Sequence, residues 1–175
     1  MKKSIFSLLI VLMLVTLLAT PVSAGPGIGL SGVTFTLGSL IAEGTLTKIG
    51  NTDVKVLLQA DGIPDITCTN YGSNDVPGQS SPKVSASGQQ LIPGDSTAKK
   101  NGWSPFGVET VDPTTIDWKA GGCPNANWTA RIDFIRWTHA KLSFYDNATN
   151  GLLLTKDYAC TTTRYPAAVS CSPLP

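Results

Sequence analysis

The stretch CPNANWTARIDFIRWTHAKLSFYD, residues 123–146, decides whether this chain is helical or built from strands. A helix would carry one apolar stripe with spacings of four and three residues, formed by Trp128, Ile132, Ile135, His139 and Leu142. Strand alternation instead puts Ala130, Ile132 and Phe134 on one face, with charged side chains between them on the other. Both periodicities fit, so the decision depends on the surrounding sequence.

The alternation in this stretch changes frame near Ile135–Trp137 and then resumes at Ala140 and Leu142. A β-bulge, or a turn between two strands, produces a frame change of this kind. The flanking sequence is rich in Thr and Val and has apolar residues at period two, which is typical of strands. We therefore predict two strands in residues 123–146.

The rest of the chain repeats the period-two pattern in short runs separated by Gly, Pro, Asn and Asp. The runs are residues 32–39, 40–49, 53–62, 64–70, 83–92, 103–111 and 150–164. Eight or nine short strands at this spacing predict an all-β fold. We expect an antiparallel β-sandwich of immunoglobulin-like or jelly-roll-like type.

Residues 112–122, DPTTIDWKAGG, are the one segment with helix signals. Asp112 is a possible N-cap, Pro113 suits a first helical position, and Gly121 and Gly122 would end the helix. The sequence therefore predicts at most one short helix.

Residues 1–24 are predicted to be a signal peptide. Lys2 and Lys3 form a basic start, an uncharged apolar run follows, and PVSA ends it with small residues. The alternative is a retained membrane anchor, because the run approaches the length that spans a bilayer. We favour cleavage after Ala24, which leaves residues 25–175 as a single secreted β-sandwich domain.

The mature chain is nearly neutral. The sequence has 13 Lys and Arg against 12 Asp and Glu, and removal of Lys2 and Lys3 leaves a formal charge near −1. Binding to nucleic acid depends on clustered Lys and Arg, which the sequence does not contain. We therefore expect no nucleic-acid partner, and no membrane association after signal cleavage.

The four cysteines, Cys68, Cys123, Cys160 and Cys171, all lie in the mature region. An even number of cysteines in an exported chain predicts disulfides, and four cysteines allow three connectivities. We favour Cys68 with Cys123 and Cys160 with Cys171, which would stabilise by roughly 4 and roughly 3 kcal/mol through loop closure. A zinc site is the alternative, but no pair has C-x-x-C spacing.

Three short segments surround these cysteines: CTNYGSNDVPGQ at residues 68–79, GGCPNANWTA at 121–130 and CTTTRYPAAVSC at 160–171. Through them the chain resembles a group of small secreted bacterial β-sandwich proteins that have no assigned activity. The similarity extends over most of residues 40–171. It implies export and the sandwich fold, and it also favours the cysteine pairing given above.

His139 is the only histidine of the chain. Strand parity places it with Lys141 on the face opposite Ala140 and Leu142, which predicts a solvated or rim position. A general base needs a pocket and a partner within hydrogen-bond reach, and one histidine without a nucleophile motif supplies neither. We therefore predict no catalytic residues and no enzyme activity, with a secreted hydrolase as the alternative.

No metal or cofactor is predicted. The motif HExxH is absent, and a zinc site built on histidines would need more than one. Asp61–Asp65 and Ser73–Gln79 carry oxygen ligands of the kind calcium accepts, but neither has EF-hand spacing. Asp and Asn in these segments are equally explained as turn formers, so a weak calcium site stays open.

The aromatic residues are the best candidates for binding. Trp103 and Trp118 lie in or beside predicted loops, and Tyr71 and Asn74 belong to the polar loop at residues 70–82. Exposed aromatic rings stack on the apolar faces of sugars, whereas buried rings fill cores. We take Trp103, Trp118, Tyr71 and Asn74 as candidate ligand-binding residues.

The expected function is a non-enzymatic one: a secreted extracellular binding or structural protein that acts through a surface patch. Its partner is expected to be an extracellular component such as a polysaccharide or cell-envelope material. A carbohydrate-binding module that uses exposed tryptophans is the first alternative, and a secreted hydrolase is the second.

Overall fold

Two long antiparallel strands form the centre of the structure. The computed structural model describes residues 27–94 and 103–175, so the predicted signal peptide lies outside the described residues. Strand β3 (Val54–Asn70) pairs with strand β8 (Trp128–Asp146) over its whole length. The other strands of the same sheet extend from this pair.

The described residues form ten strands and no helix. Besides β3 and β8 these are β1 (Gly29–Thr36), β2 (Ile41–Thr47), β4 (Asp75–Pro77), β5 (Val84–Ile92), β6 (Trp103–Glu109), β7 (Thr115–Ile116), β9 (Leu152–Arg164) and β10 (Ala167–Pro173). A small sheet has the order β1-β2-β6. A large sheet has the order β10-β9-β8-β3-β4, with β5 also paired to β3 and β7 to β8. All pairings are antiparallel, which confirms the predicted all-β class.

The outer edge of β3 changes partner along its length. β5 pairs with Val54–Gly62 and β4 with Thr67–Thr69. Within the described residues, Ile63–Ile66 therefore pairs with a strand on one side alone, which is β8. Pro64 is tolerated in this segment because proline has no N–H to donate to a second partner strand. The break predicted within Asp61–Asp65 is wrong, since these residues continue a single strand.

Strand β8 carries two β-bulges. Two register shifts against β3 leave Thr138 and Asp133 as extra residues on β8. Each bulge moves the next side chains to the other face, so inward residues are odd-numbered at Ile135 and Trp137 and even-numbered again from Ala140. The predicted frame change is confirmed, but the two predicted strands are one continuous strand.

The main core lies between the two sheets. Alternate residues of β3 from Val54 to Ala60 face the small sheet and are buried. Phe106 of the small sheet meets Phe144 of the large sheet edge to face, with ring centroids 5.4 Å apart. The other large buried side chains of this core include Leu40, Leu46, Leu58, Val108, Trp137 and Leu142. Each such side chain contributes roughly 1.5–3 kcal/mol when it is fully buried.

Residues 112–122, the one segment with helix signals, form no helix, which agrees with the prediction of at most one short helix. Thr115–Ile116 is strand β7, and its pairing with β8 commits its backbone to a ladder. Asp112, the predicted N-cap, accepts a hydrogen bond from Thr110 Oγ1 at 2.6 Å instead. Sheet pairing has therefore overridden a weak local helix signal.

All four cysteines are paired as predicted. Cys68 is joined to Cys123, and Cys160 is joined to Cys171, its direct cross-strand neighbour on β10. Two disulfides in a chain of this length are typical of extracellular proteins.

Gly62 allows β3 to approach β8 closely, because a Cβ atom there would lie 2.5 Å from Ile135 Cγ2 and 2.9 Å from the Arg136 carbonyl oxygen. Gly62→Ala is expected to lower the free energy of unfolding by about 1–3 kcal/mol, since an added methyl forces packed neighbours apart. Urea unfolding followed by tryptophan fluorescence measures the change.

Gly107→Ala is the matched control. Gly107 is also a strand glycine, but a Cβ there meets no atom closer than 3.7 Å. Its effect on the free energy of unfolding is expected to stay within about 0.5 kcal/mol. Equal destabilisation by the two substitutions would contradict the close approach at Gly62.

Candidate functional site

One end of the large sheet is held by the disulfide between Cys68 and Cys123. Both cysteines are buried, their Cα atoms are 5.6 Å apart, and they are separated by 55 residues in sequence. Ile66 packs against the bridge, and Trp118 and Trp128 lie half-buried around it. The turn that follows β3 is therefore fixed beside the segment that precedes β8.

The turn between β3 and β4 is ordered by the side chain of Asn70. Its Oδ1 accepts hydrogen bonds from the backbone N–H of Gly72 at 2.9 Å and of Asn74 at 3.0 Å. The side chain of Tyr71 projects from this turn and is 91% exposed. A large aromatic ring is thus presented to solvent on a backbone held by hydrogen bonds and a nearby disulfide.

An open groove of about 300 Å³ lies beside this turn, and we name it the Tyr71 groove. It is lined by Thr69, Asn70, Tyr71, Thr115, Asn127, Thr129 and Arg131. Thr129 lies opposite Thr69 in the β3–β8 ladder, and Arg131 lies opposite Thr115 in the β7–β8 ladder. One aromatic ring and six polar side chains therefore converge at the disulfide-bonded end of the sheet.

Among the residues that line the groove, Arg131 is the charged one, and Asp133 holds it in place. Arg131 Nε donates to Asp133 Oδ1 at 2.9 Å, and Thr67 Oγ1 donates to Asp133 Oδ2. The hydrogen bond from Thr67, together with the interaction with Arg131, holds the pKa of Asp133 below its ordinary value. Asp133 is therefore ionised over the physiological range and orients the guanidinium.

Several side chains of the groove have hydrogen-bonding groups that the protein does not use. In the described part of the chain, the side chains of Thr115, Asn127 and Thr129 make no hydrogen bond. Thr69 donates its hydroxyl proton to Asp75 Oδ1, which leaves the Thr69 oxygen as an acceptor. The groove therefore offers both donors and acceptors to a ligand.

The four candidate residues from the sequence are not all in one place. Tyr71 lines the groove, and Asn74 supports it through the backbone hydrogen bond to Asn70. Trp118 is half-buried against the disulfide of the large sheet, whereas Trp103 is 56% exposed on β6 of the small sheet. The structure therefore does not combine the two tryptophans into one aromatic surface.

The remaining lining residues of the groove are missing from the sequence-based prediction. Thr129 and Arg131 share the outward parity of β8, and the predicted bridge between Cys68 and Cys123 brings that part of β8 to the Tyr71 turn. These two residues could therefore have been predicted from the sequence. Thr115 was not, because it joins the groove only through the pairing of β7 with β8.

A second groove, of about 420 Å³, lies on the outer face of the large sheet, and we name it the His139 groove. Its polar and apolar lining includes Gln59, Asp61, Ser85, Ser87, Val111, His139 and Lys141. His139 Nε2 lies 3.2 Å from Asp157 Oδ1, and His139 Nδ1 lies 4.0 Å from Asp61 Oδ2. The side chain is 37% exposed, as its predicted rim position requires, but it lies between two carboxylates that are remote in sequence.

In the His139 groove the imidazole is oriented by carboxylates, but it does not activate a nucleophilic side chain of the protein. Ser85 Oγ donates to Asp61 Oδ1 at 2.6 Å rather than to His139, so the imidazole does not activate it. A histidine held by a carboxylate can act as a general base on water. Among residues 27–94 and 103–175, no group of three or more His, Cys, Asp or Glu side chains is placed to hold a metal ion.

No helix in the described residues has the length and apolar character needed to span a bilayer. Comparison with protein-family models, with curated proteins and with solved structures finds no match to this chain. In both the Tyr71 groove and the His139 groove, polar side chains from separate strands converge.

Thr67→Val removes the hydroxyl that donates to Asp133 and keeps a similar shape. The pKa of Asp133 is expected to rise toward its ordinary value, because a hydrogen bond to a carboxylate favours the charged form. A ¹³C NMR titration of the aspartate carboxyl groups measures this shift. Thr69→Val, which removes the hydroxyl bonded to Asp75, is the control and should leave the Asp133 titration unchanged. An Asp133 titration that stays fixed in Thr67→Val would contradict the assigned cause.

Proposed function

We propose that this protein is exported after removal of residues 1–24 and binds an extracellular glycan, from a polysaccharide or the cell envelope, in the Tyr71 groove. The observation that carries the proposal is the ring of Tyr71, which is 91% exposed on a hydrogen-bonded turn and lies beside six polar side chains. Binding occurs without chemical change to the glycan. The role is the surface-patch binding expected from the sequence, with Tyr71 and its neighbours in place of the tryptophans.

The ring of Tyr71 suits the apolar face of a sugar. Covering exposed apolar area contributes roughly 25 cal/mol per Å², and an aromatic ring offers a large flat area with few rotatable bonds. The backbone under the ring is already ordered by the Asn70 side chain. Binding therefore costs little conformational entropy, which favours affinity.

The polar lining suits the hydroxyl groups of the same sugar. Ligand sites combine apolar surface with a few oriented polar groups, and here the unused groups belong to Thr115, Asn127 and Thr129. A stable complex with a protein partner would instead bury about 800 Å² on each of the two proteins, and the centre of that interface would be drier and more apolar. A small, open groove that combines apolar surface with a few polar side chains is better matched to a sugar ring.

Export is supported by the two disulfides and by the basic and apolar pattern of residues 1–24. Disulfides persist in oxidising compartments and are reduced in most cytosols. Cys68, which is joined to Cys123, directly precedes Thr69 of the proposed site. A binding site beside a disulfide fits an extracellular location.

Tyr71→Ala is expected to weaken glycan binding about tenfold or more, because a central aromatic anchor carries a large share of the binding energy. Binding of the purified, oxidised protein to a panel of soluble and insoluble polysaccharides is measured by isothermal titration and co-sedimentation. Tyr165→Ala is the matched control, since Tyr165 is 85% exposed but does not line the groove. Wild-type binding by Tyr71→Ala, or no binding to any polysaccharide, would contradict the proposal.

A secreted hydrolase is the second candidate function. The observation that favours it is the position of His139 between Asp157 and Asp61 in a groove of about 420 Å³. A carboxylate-oriented imidazole can take a proton from a water molecule that attacks an ester carbonyl. In the described residues no serine hydroxyl donates to His139, so the reaction would proceed without a covalent intermediate on serine.

His139→Ala is expected to leave both glycan binding and the thermal unfolding midpoint nearly unchanged, because the side chain is 37% exposed and surface contacts such as those with Asp61 and Asp157 contribute about 0–1 kcal/mol. Wild type and variant are incubated with chromogenic acetyl esters and glycosides, and neither should give turnover. Turnover by the wild type that His139→Ala abolishes and Tyr71→Ala preserves would show that the protein is a hydrolase.

A further inference from the structure

The charge in the Tyr71 groove indicates the class of sugar that it binds. Arg131 is a cation among the lining residues, and no Asp or Glu lines the groove. Complementary charge is a general source of specificity in binding sites. We infer that the ligand is an acidic sugar, a uronic acid whose carboxylate is bound by Arg131, an inference that rests on the proposed function.

The guanidinium of Arg131 is occupied on one edge and free on the other. Its Nε donates to Asp133 Oδ1 at 2.9 Å, and no other hydrogen bond engages it within the described residues. A guanidinium carries five N–H donors in a planar fork, so both Nη groups remain available. This pair of groups matches the two oxygens of a carboxylate, and the side chain is 56% exposed.

Asp133 orients Arg131 without blocking that free edge. Its Oδ1 accepts from Arg131 Nε and its Oδ2 accepts from Thr67, so both oxygens are engaged. The negative charge of Asp133 offsets part of the charge of Arg131. Recognition therefore depends on the two parallel hydrogen bonds from the fork more than on net charge, and lysine at this position would be a poor substitute.

The neighbouring side chains add donors for a carboxylate and an acceptor for a ring hydroxyl. Thr115 lies directly opposite Arg131 across the β7–β8 ladder and has an unused hydroxyl. Asn70 Oδ1 accepts from two backbone N–H groups, and the N–H donors of the same side-chain amide are not used within the described residues. The Thr69 oxygen is the acceptor. A uronic acid presents the three complementary features: an apolar ring face, a carboxylate and hydroxyl groups.

The test compares polygalacturonate with the same polymer after reduction of its carboxyl groups, which is neutral and has the same linkage. The wild-type protein is expected to bind polygalacturonate about tenfold or more tightly, because charge-assisted bidentate hydrogen bonds are lost on reduction. Arg131→Gln should bind both polymers with the weaker affinity. Arg131→Lys should recover only a small part of the difference, which keeps the test valid if Arg131→Gln folds poorly.

Arg164→Gln is the control for net charge, since Arg164 is an exposed arginine paired with Asp65 outside the groove. An equal loss of binding in Arg164→Gln and Arg131→Gln would overturn the inference, as would equal binding of both polymers by the wild type. A sulfated galactan is the third probe, and binding as tight as that of polygalacturonate would overturn the assignment to a carboxylate.

Failure of the inference is distinguishable from failure of the proposed function. If both polymers bind equally and Tyr71→Ala abolishes both, glycan binding stands and the acidic sugar is wrong. If no polymer binds the wild type, glycan binding and the inference that rests on it both fail.

Discussion

The pairing of β3 with β8 is the constraint on which the rest of the structure depends. Every second side chain of β3 from Val54 to Cys68 is buried, and β8 keeps a matching buried face only because Thr138 and Asp133 are inserted as bulges. A slip of one residue would turn the whole apolar set of β3 to solvent, so the register is strongly specified. Strands β4, β5, β7 and β9 each pair with one of these two strands, and their positions follow from it.

The two halves of this strand pair are stabilised differently, and that difference positions the candidate site. The half that begins at Val54 is covered by the small sheet and buries the main core. The half that includes Cys68 is held by a disulfide and a small apolar cluster, and the Tyr71 groove lies at its end. The bulged residue Asp133 lies on this half and holds Arg131, in keeping with the tendency of bulges to re-aim side chains at binding sites.

Much of the fold was predictable because strand alternation and cysteine chemistry are local signals. The period-two pattern predicts the buried face of β3, and the frame change in residues 123–146 predicts a bulge or a turn. The secondary structure was predicted wrongly where pairing with a distant strand decides it and local residue preferences do not. Pro64 is a turn signal in isolation, yet it is accommodated where β3 lacks a second partner strand. Residues 112–122 carry helix signals, yet β7 pairs with β8.

The sequence by itself determined the antiparallel all-β class, the presence of two disulfides and the rim position of His139, because each depends on periodicity, on cysteine content or on side-chain parity within one strand. The cysteine pairing that we favoured was one of three connectivities that the sequence allowed, and the structure confirms it. Only the tertiary structure decided which polar groups meet. Tyr71, Thr115 and Arg131 come from three segments, and His139 faces carboxylates from two other strands. Their meeting depends on strand register and bulge position, which are set by packing across the whole sheet and not by any short window of sequence.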